Sequence, residues 1–226
     1  LLLSALNTTL ASIETTTDVL LQSQAAVLDG WRLSGEISIV RKESDIKNVL
    51  AVLNGDGAKA EETIVIGAHY DHLGYGGVGS LAHGSTEIHN GADDNASGTA
   101  GLLQLAKKFS QTTPHRGLLF IAFAGEELGL LGSKHYTQYP TMDLQNTIAM
   151  LNLDMIGRSD GDIFIGGTDT SNKFRMLLES VQESSFLKFS YSDNLRGSSD
   201  HLSFASKKIP VLLFFLWASQ RLPSAF

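Results

Sequence analysis

One short segment in the first half of the chain carries two residues that could form a metal site. His69 and Asp71 stand two positions apart, and in extended backbone such side chains point to the same side. A carboxylate placed there can accept a hydrogen bond from the far ring nitrogen of the imidazole, which fixes the tautomer and raises its basicity as a metal ligand. An ordinary turn containing a histidine and an aspartate is the alternative interpretation.

Adjacent acids occur in two further segments. Asp93 and Asp94 lie in GADDNASG, where small neighbours permit close approach to an ion, although a helix N-cap explains the same pattern. Glu126 and Glu127 follow the apolar run LLFIAFA, and like charges there repel unless a cation or a proton intervenes. One glutamate could bind metal while the other takes a proton from water. A solvated pair at a helix start is the alternative.

Acidic residues also follow an apolar run and a small-residue segment later in the chain. Asp154 closes the run LNL, where an acid is costly to bury without a partner. Asp200 and His201 follow Gly-Ser-Ser. They could be metal ligands, residues that support the ligands, or the cap of a short helix. The chain has no cysteine, so His, Asp and Glu must hold any metal, and these ligands suit zinc, manganese or cobalt. Two ions about 3.5–4 Å apart that share a carboxylate form a two-metal hydrolase site.

Predicted strands and helices alternate along the chain, which favours an α/β fold: a three-layer α/β/α sandwich with a central, mostly parallel mixed sheet. Residues 1–30 are predicted to be a helical edge segment. The predicted strands are 37–40, 49–53, 63–68, 118–124, 147–155, 162–165 and 211–216, and the predicted helices are 97–111, 128–139, 171–185 and 201–206. In such sheets ligands bind at the carboxyl ends of the strands. We therefore expect the acids and the imidazole that follow three of these strands to converge at one edge.

Bulk composition excludes several classes of protein. The chain has 226 residues, 42% of them hydrophobic, and a formal net charge of -7, which fits one sizeable domain. It shows no stripe of Lys and Arg, so nucleic acid is not expected as a partner. No apolar run approaches the roughly 18 residues that a membrane span needs.

The ordered set HYD, GADDNASG, GEE, NLDM and SDH resembles the M28 family of metallopeptidases, over about residues 49–215. The resemblance implies a single catalytic domain over residues 1–226 with the zinc-exopeptidase fold. It also implies zinc as the metal, two ions in a complete site, peptide substrates with a free N-terminus, and a secreted or periplasmic location.

The resemblance further assigns a role to each site residue. Asp94 would bridge the two ions and be joined to the next residue by a cis peptide bond. Glu126 would be the general base that activates water and then protonates the leaving amine, and Asp71 would orient the first ligand. The remaining metal ligands would be His69 and Asp154 for one ion and Glu127 for the other, with Asp200 and His201 as supporting residues or substitute ligands.

The C-terminal residues depart from the family pattern. The family places its fifth metal ligand in a run such as GLHSDYHRPS after the last strand, and the expected histidine coincides with Pro223. A nucleotide sequence that encodes this run, preceded by T and read one base out of frame, encodes WASQRLPSAF, which is residues 217–226. We therefore interpret residues 216–226 as an aberrant tail produced by a one-base frameshift, with the final helix of the family missing.

This departure predicts one well-occupied metal site and one weak or empty site, because the second ion loses a protein ligand. It also predicts an uncovered apolar face along residues 211–217, through which the chain would form a dimer. The leading function is a metal-dependent exopeptidase that removes N-terminal residues. The alternatives are a glutaminyl-cyclase-like transferase with a single zinc, and a catalytically impaired metal-binding relic.

Overall fold

The computed structural model describes residues 3, 7–21, 30, 32, 34–40, 43–77, 79–82, 84–192 and 198–216. The chain divides into two compact units, Leu1–Ser44 and Asp45–Phe226. Whether residues 1–30 pack on the edge of a single domain stays a prediction.

The first unit contains helix α1 (Leu10–Leu20), which begins where the Thr9 hydroxyl accepts a hydrogen bond from the Ser12 backbone at 3.1 Å. None of the side chains of α1 is buried. The strand predicted at residues 37–40 is wrong, since the backbone there is irregular and its side chains are exposed. Alternating apolar residues favour extended backbone, but a strand also requires a hydrogen-bonding partner, and these residues have none among those described.

The second unit is built on a seven-stranded mixed sheet in the order β1-β3-β2-β4-β7-β5-β6. The strands are β1 (Val49–Leu53), β2 (Thr63–His69), β3 (Gly117–Phe123), β4 (Thr147–Leu153), β5 (Asp162–Gly166), β6 (Lys188–Ser192) and β7 (Val211–Leu216). The β1–β3 and β5–β7 pairs are antiparallel, and the other pairs are parallel. The largely parallel mixed sheet is confirmed.

Helices cover both faces of this sheet. They are α2 (Gly98–Phe109), α3 (Leu131–Gln138), α4 (Phe174–Gln182) and α5 (His201–Ala205), with short 3₁₀ turns at Leu144–Asn146 and Thr168–Thr170. On one face Tyr136 of α3 and Phe204 of α5 pack against buried strand residues such as Met150. On the other face Leu102 of α2 and Leu178 of α4 pack against the sheet. The three-layer α/β/α sandwich is therefore confirmed.

The structure corrects two expectations about strands. Strand β6 was not predicted because its sequence, KFSYS, is short and half polar. Its apolar residues Phe189 and Tyr191 nevertheless lie in register with Ile163 and Ile165 of β5. Strand β7 is not an uncovered apolar face, because its side chains are buried or half-buried and Val211 is fully buried.

The dimer was predicted from an uncovered face on β7, and that face is not observed. The dimer itself stays a prediction. Of the expected tail at 216–226, Leu216 ends strand β7. Residues 217–226, with the expected frameshift and missing helix, lie outside the described residues. Among the described helices, none is long and apolar enough to cross a membrane.

Candidate metal centre

His69 ends the central strand β2, and its Nε2 atom faces three carboxylates. Asp94 Oδ1 lies 3.2 Å away, Asp154 Oδ1 3.6 Å and Glu126 Oε2 3.9 Å. The carboxylates come from the turn before α2, the end of β4 and the turn after β3. Parallel strands β2, β3 and β4 are neighbours in the sheet, so the predicted convergence at their carboxyl ends is observed.

Ligand atoms of His69, Glu126 and Asp154 all lie within 4.8 Å of one another. One imidazole and several carboxylates at this spacing form a donor set that suits a divalent cation. Glu126 is nearer to the imidazole than its neighbour Glu127, which lines the adjoining cavity together with Asp94. The division of the two glutamates into a base and a ligand stays a prediction.

The tautomer of His69 is fixed by the backbone of Asp71. Nδ1 of the imidazole lies 3.2 Å from the Asp71 carbonyl oxygen and 3.6 Å from its carboxylate. Because a carbonyl oxygen can only accept a hydrogen bond, Nδ1 carries a proton, and Nε2 is the ring nitrogen that points into the cluster. Asp71 therefore orients the imidazole mainly through its main chain.

The carboxylate of Asp71 is occupied elsewhere. It accepts hydrogen bonds from the backbone N–H groups of Glu126 at 3.1 Å and of Glu127 at 3.2 Å. These two bonds join the end of β2 to the turn after β3 and hold the glutamate pair in place. This contact was not predicted, because it joins residues 55 positions apart.

Asn95 is a second unpredicted positioning residue, and it is almost fully buried. Its Nδ2 donates to the Leu153 carbonyl at 3.0 Å, while its Oδ1 accepts from the backbone N–H groups of Gly98 at 2.9 Å and Met155 at 3.2 Å. The side chain thus ties the turn that bears Asp94 to the end of β4. The peptide bond between Asp94 and Asn95 is cis, as the family resemblance implied.

Close packing in this turn explains its small residues. A Cβ at Gly98 would overlap the Asn95 side chain and the Leu153 carbonyl oxygen, so only glycine fits. The Thr99 hydroxyl, one residue further on, donates to the His69 carbonyl at 2.9 Å. Together these contacts join the start of α2 to both β2 and β4.

Burial and the charge of nearby carboxylates raise the pKa values of the glutamate pair. Burial, together with the nearby charge of Asp154, raises the pKa of Glu126 to about 8 against the opposing effect of His69. Burial and the charge of Asp94 raise the pKa of Glu127 to about 7. The cluster carries more carboxylates than it can keep ionised without added positive charge.

His69 responds in the opposite direction. Burial tends to lower its pKa, but the carboxylates of Asp154, Asp71 and Asp94 outweigh burial and raise it far above the ordinary value. For Asp71, burial tends to raise the pKa, and the contacts with His69 and the Glu126 backbone outweigh it, so the pKa is lowered. The position beside Nε2 therefore favours positive charge, and a divalent cation would satisfy it while the imidazole stays neutral.

Asp200 and His201 lie at the start of α5 and are both fully buried. Neither carboxylate oxygen of Asp200 nor either ring nitrogen of His201 has a hydrogen-bond partner in the described part of the chain. Burial lowers the pKa of His201 to about 4. Burial raises the pKa of Asp200 to about 7, and the nearby Ser133 hydroxyl, which does not reach hydrogen-bonding geometry, opposes part of that rise.

His201 does not belong to the group of ligand atoms around His69. Its assignment as a supporting residue or substitute ligand, together with Asp200, stays a prediction.

A cavity of about 690 Å³ opens beside the cluster. Asp94 and Glu127 form part of its wall, with Leu73 and Ile88 from the long loop before α2 and Arg158 from the segment after β4. A polar wall next to apolar side chains is typical of a small-ligand site. The position of Arg158 was not predicted from the sequence.

Comparison with known proteins identifies the family. Residues 48–225 match Peptidase family M28, and the chain belongs to this family. It is 28% identical over 184 residues to aminopeptidase YwaD of Bacillus subtilis (strain 168), covering 75% of this chain and 38% of that protein.

Solved structures agree with this assignment. BSAP, a zinc aminopeptidase from Bacillus subtilis, superposes with a TM-score of 0.62 at 25% identity, covering 79% of this chain and 44% of that one. The aminopeptidase from Aneurinibacillus sp. strain AM-1 gives a TM-score of 0.61 at 30% identity, covering 79% and 42%. The chain thus spans less than half the length of each of these three relatives.

Proposed function

We propose that this chain is a zinc-dependent exopeptidase that removes N-terminal residues from peptides. The observation that carries the proposal is the placement of three carboxylates within 3.9 Å of the buried His69 Nε2, beside an open cavity. The M28 family match and the zinc aminopeptidase relatives support the same reaction class.

The donor set fits zinc, which favours imidazole and carboxylate ligands in tetrahedral sites. His69, Asp94 and Asp154 would hold one ion, and Asp94 and Glu127 would take part in holding a second. The hydrogen bond to the Asp71 carbonyl keeps Nδ1 protonated, so Nε2 is the nitrogen that can bind a metal. This supports the site formed by His69, Asp94 and Asp154. The second set, Asp94 and Glu127, contains no imidazole, so we propose one tight and one weak zinc site.

Bound zinc would supply Lewis acidity, which polarises a carbonyl group and makes water more acidic. Glu126 would accept the proton of the attacking water and deliver it to the departing amine nitrogen. Burial raises the pKa of Glu126 to about 8, and a carboxyl group of raised pKa is suited to accept and return a proton near neutral pH. The Asp71 carboxylate would hold Glu126 in position by accepting a hydrogen bond from the Glu126 backbone N–H.

The cavity supports a substrate with a free amino group. Asp94 and Glu127 contribute carboxylates to its wall. A protonated amine is attracted to their negative charge. Leu73 and Ile88 contribute apolar surface to the same cavity, which favours an apolar side chain next to the amine.

The test combines zinc titration of the purified chain with hydrolysis of leucine p-nitroanilide. We expect one tight zinc ion per chain, zinc-dependent turnover that a chelator abolishes, and full retention of the tight site in Glu126→Gln. That variant should lose about 100- to 10,000-fold in kcat, because it cannot transfer the proton. Zinc binding without hydrolysis in the parent chain would instead identify a metal-binding relic, and equal hydrolysis by Glu126→Gln would remove Glu126 from the mechanism.

A further inference from the structure

Arg158 contributes positive charge to a cavity in which the other charged side chains, apart from histidines, are acidic. Among the described residues that line the cavity, it is the single Lys or Arg, whereas Glu87, Asp93, Asp94 and Glu127 contribute carboxylates. Its side chain is 38% exposed, so the guanidinium is accessible to a bound molecule.

Asp93 holds this guanidinium in a defined orientation. Its Oδ2 accepts from Arg158 Nε at 3.0 Å, and its Oδ1 accepts from the backbone N–H of Gly157 at 2.9 Å. The Asp93 carbonyl also accepts from the Ser97 hydroxyl at 2.6 Å. The carboxylate itself is only 10% exposed, so the pair is a buttressed contact and not a loose surface ion pair.

The ion pair uses one of the five N–H groups of the guanidinium. The described residues offer the terminal Nη groups no hydrogen-bond partner. These groups form a planar fork that matches a carboxylate and binds it in bidentate fashion. A single Asp93 carboxylate cannot satisfy them, so the fork remains available to a ligand.

The residues that hold the fork adjoin the metal centre. Asp93 immediately precedes Asp94, whose Oδ1 lies 3.2 Å from His69 Nε2. Successive Cα atoms are about 3.8 Å apart, and an extended dipeptide is about 7 Å long. Arg158 and Asp94 line the same cavity, so we expect one short peptide to contact both.

We propose that Arg158 is a specificity-determining residue that binds a carboxylate of the substrate while the amino group lies at the Asp94 and Glu127 end. The inference rests on the proposed aminopeptidase function. The carboxylate has two sources: the side chain of an acidic first residue, or the C-terminus of a dipeptide.

Two matched pairs of substrates distinguish these sources. Glutamyl p-nitroanilide is compared with glutaminyl p-nitroanilide, and Leu-Gly with leucyl-glycinamide, in the zinc-loaded parent chain and in Arg158→Met. We expect Arg158→Met to lower kcat/KM about 10- to 100-fold for the charged member of one pair and not for its neutral partner, because charge-assisted hydrogen bonds are lost. Arg158→Lys, which keeps the charge without the fork, should recover part of that loss.

Arg175→Met is the control for removal of an arginine elsewhere. Arg175 lies outside the cavity, 3.6 Å from Glu179 and over the Tyr191 ring, and its loss should leave the charged-to-neutral ratios unchanged. An equal loss on all four substrates would show that Arg158 only holds the segment after β4, and would overturn the proposal. So would unchanged kinetics.

A binding measurement separates this proposal from the proposed function. The same four compounds are titrated calorimetrically into zinc-loaded Glu126→Gln, with and without Arg158→Met. A carboxylate preference that vanishes with Arg158→Met supports the proposal even if the parent chain hydrolyses nothing. Equal affinity for charged and neutral partners in Glu126→Gln would overturn it, whatever the activity of the parent chain.

Discussion

The second unit contains two buried histidines, each beside an aspartate, and their surroundings shift the pKa values of the two imidazoles in opposite directions. Hydrogen bonds join His69 and Asp71 to each other, to the start of α2 and to the turn after β3. His201 and Asp200, at the start of α5, have no side-chain hydrogen-bond partner in the part of the chain that the structure describes. The pKa of His69 is raised, whereas burial lowers that of His201 to about 4.

The difference shows that burial alone does not set the pKa of a histidine. Both imidazoles are about 1% exposed, and burial acts on both in the same direction. The three carboxylates around Nε2 of His69 reverse the outcome by favouring positive charge there. A polar residue becomes a candidate ligand when its neighbours offer both countercharge and a fixed orientation.

The largest expected effect is on zinc affinity, when the histidine of each pair is replaced by glutamine. His69→Gln should weaken the tight zinc site more than about 100-fold, because it removes the imidazole from the donor set, and hydrolysis should fall with it. His201→Gln should weaken that site at least ten times less, since its ring lies outside the group of ligand atoms. Competition with a chromogenic chelator measures both affinities, and equal losses would make His201 a ligand.

Asp71→Asn tests the positioning contacts of the first pair. The amide of asparagine keeps one oxygen that can accept a hydrogen bond. Its NH₂ group would face the other backbone N–H, of Glu126 or Glu127, and two donors cannot form a hydrogen bond. We expect a loss of about 10- to 100-fold in kcat with the zinc stoichiometry retained, as for other residues that orient a metal site.

The matched control for Asp71→Asn is Asp143→Asn, which alters another carboxylate that accepts a backbone N–H, at Gln145, outside the cavity. Kinetics with leucine p-nitroanilide decide the outcome. A similar loss in both variants would remove any special role of Asp71.

Sequence patterns located the ligand-type residues but not the contacts that hold them. His69, Glu126 and Asp154 each follow an apolar strand, and the rule that parallel strands present ligands at their carboxyl ends brought them together. Asp71 binds the backbone 55 positions away, and Asn95 binds Leu153 across 58 positions. Such contacts depend on which strands become neighbours, and local sequence does not encode that order.

Asn95→Ala tests whether the hydrogen bonds of Asn95, which join the turn that bears Asp94 to the end of β4, stabilise the fold. The substitution leaves the Leu153 carbonyl and two backbone N–H groups without their partner. Each buried group left unsatisfied costs about 1–3 kcal/mol, so we expect the free energy of unfolding to fall by at least about 2 kcal/mol in urea.

Asn146→Ala is the control for this loss, because Asn146 lies in an exposed 3₁₀ turn away from the cluster. It should change the free energy of unfolding by less than about 0.5 kcal/mol. Equal stabilities of Asn95→Ala and the parent chain would show that the turn is held by other contacts.

The smallest expected effect is a change in the pH dependence of stability at the second pair. The folded chain keeps His201 neutral down to a pKa of about 4, against an ordinary value of 6.5. As the pH falls from 6.5 to 4 the unfolded chain therefore binds the extra proton, and this residue lowers stability. Asp200, with a pKa of about 7 against 3.8, is protonated first in the folded chain, so it raises stability as the pH falls from 7 to 3.8.

The two contributions oppose each other in the parent chain, and single substitutions should expose them. Between pH 6.5 and 5, His201→Leu should gain about 1–2 kcal/mol relative to the parent, and Asp200→Asn should lose a similar amount. Urea unfolding of the metal-free chain at both pH values measures the two shifts. Shifts of the same sign in both variants would mean that neither group titrates as its buried surroundings require, and the contrast with the first pair would then rest on the hydrogen bonds of His69 and Asp71 alone.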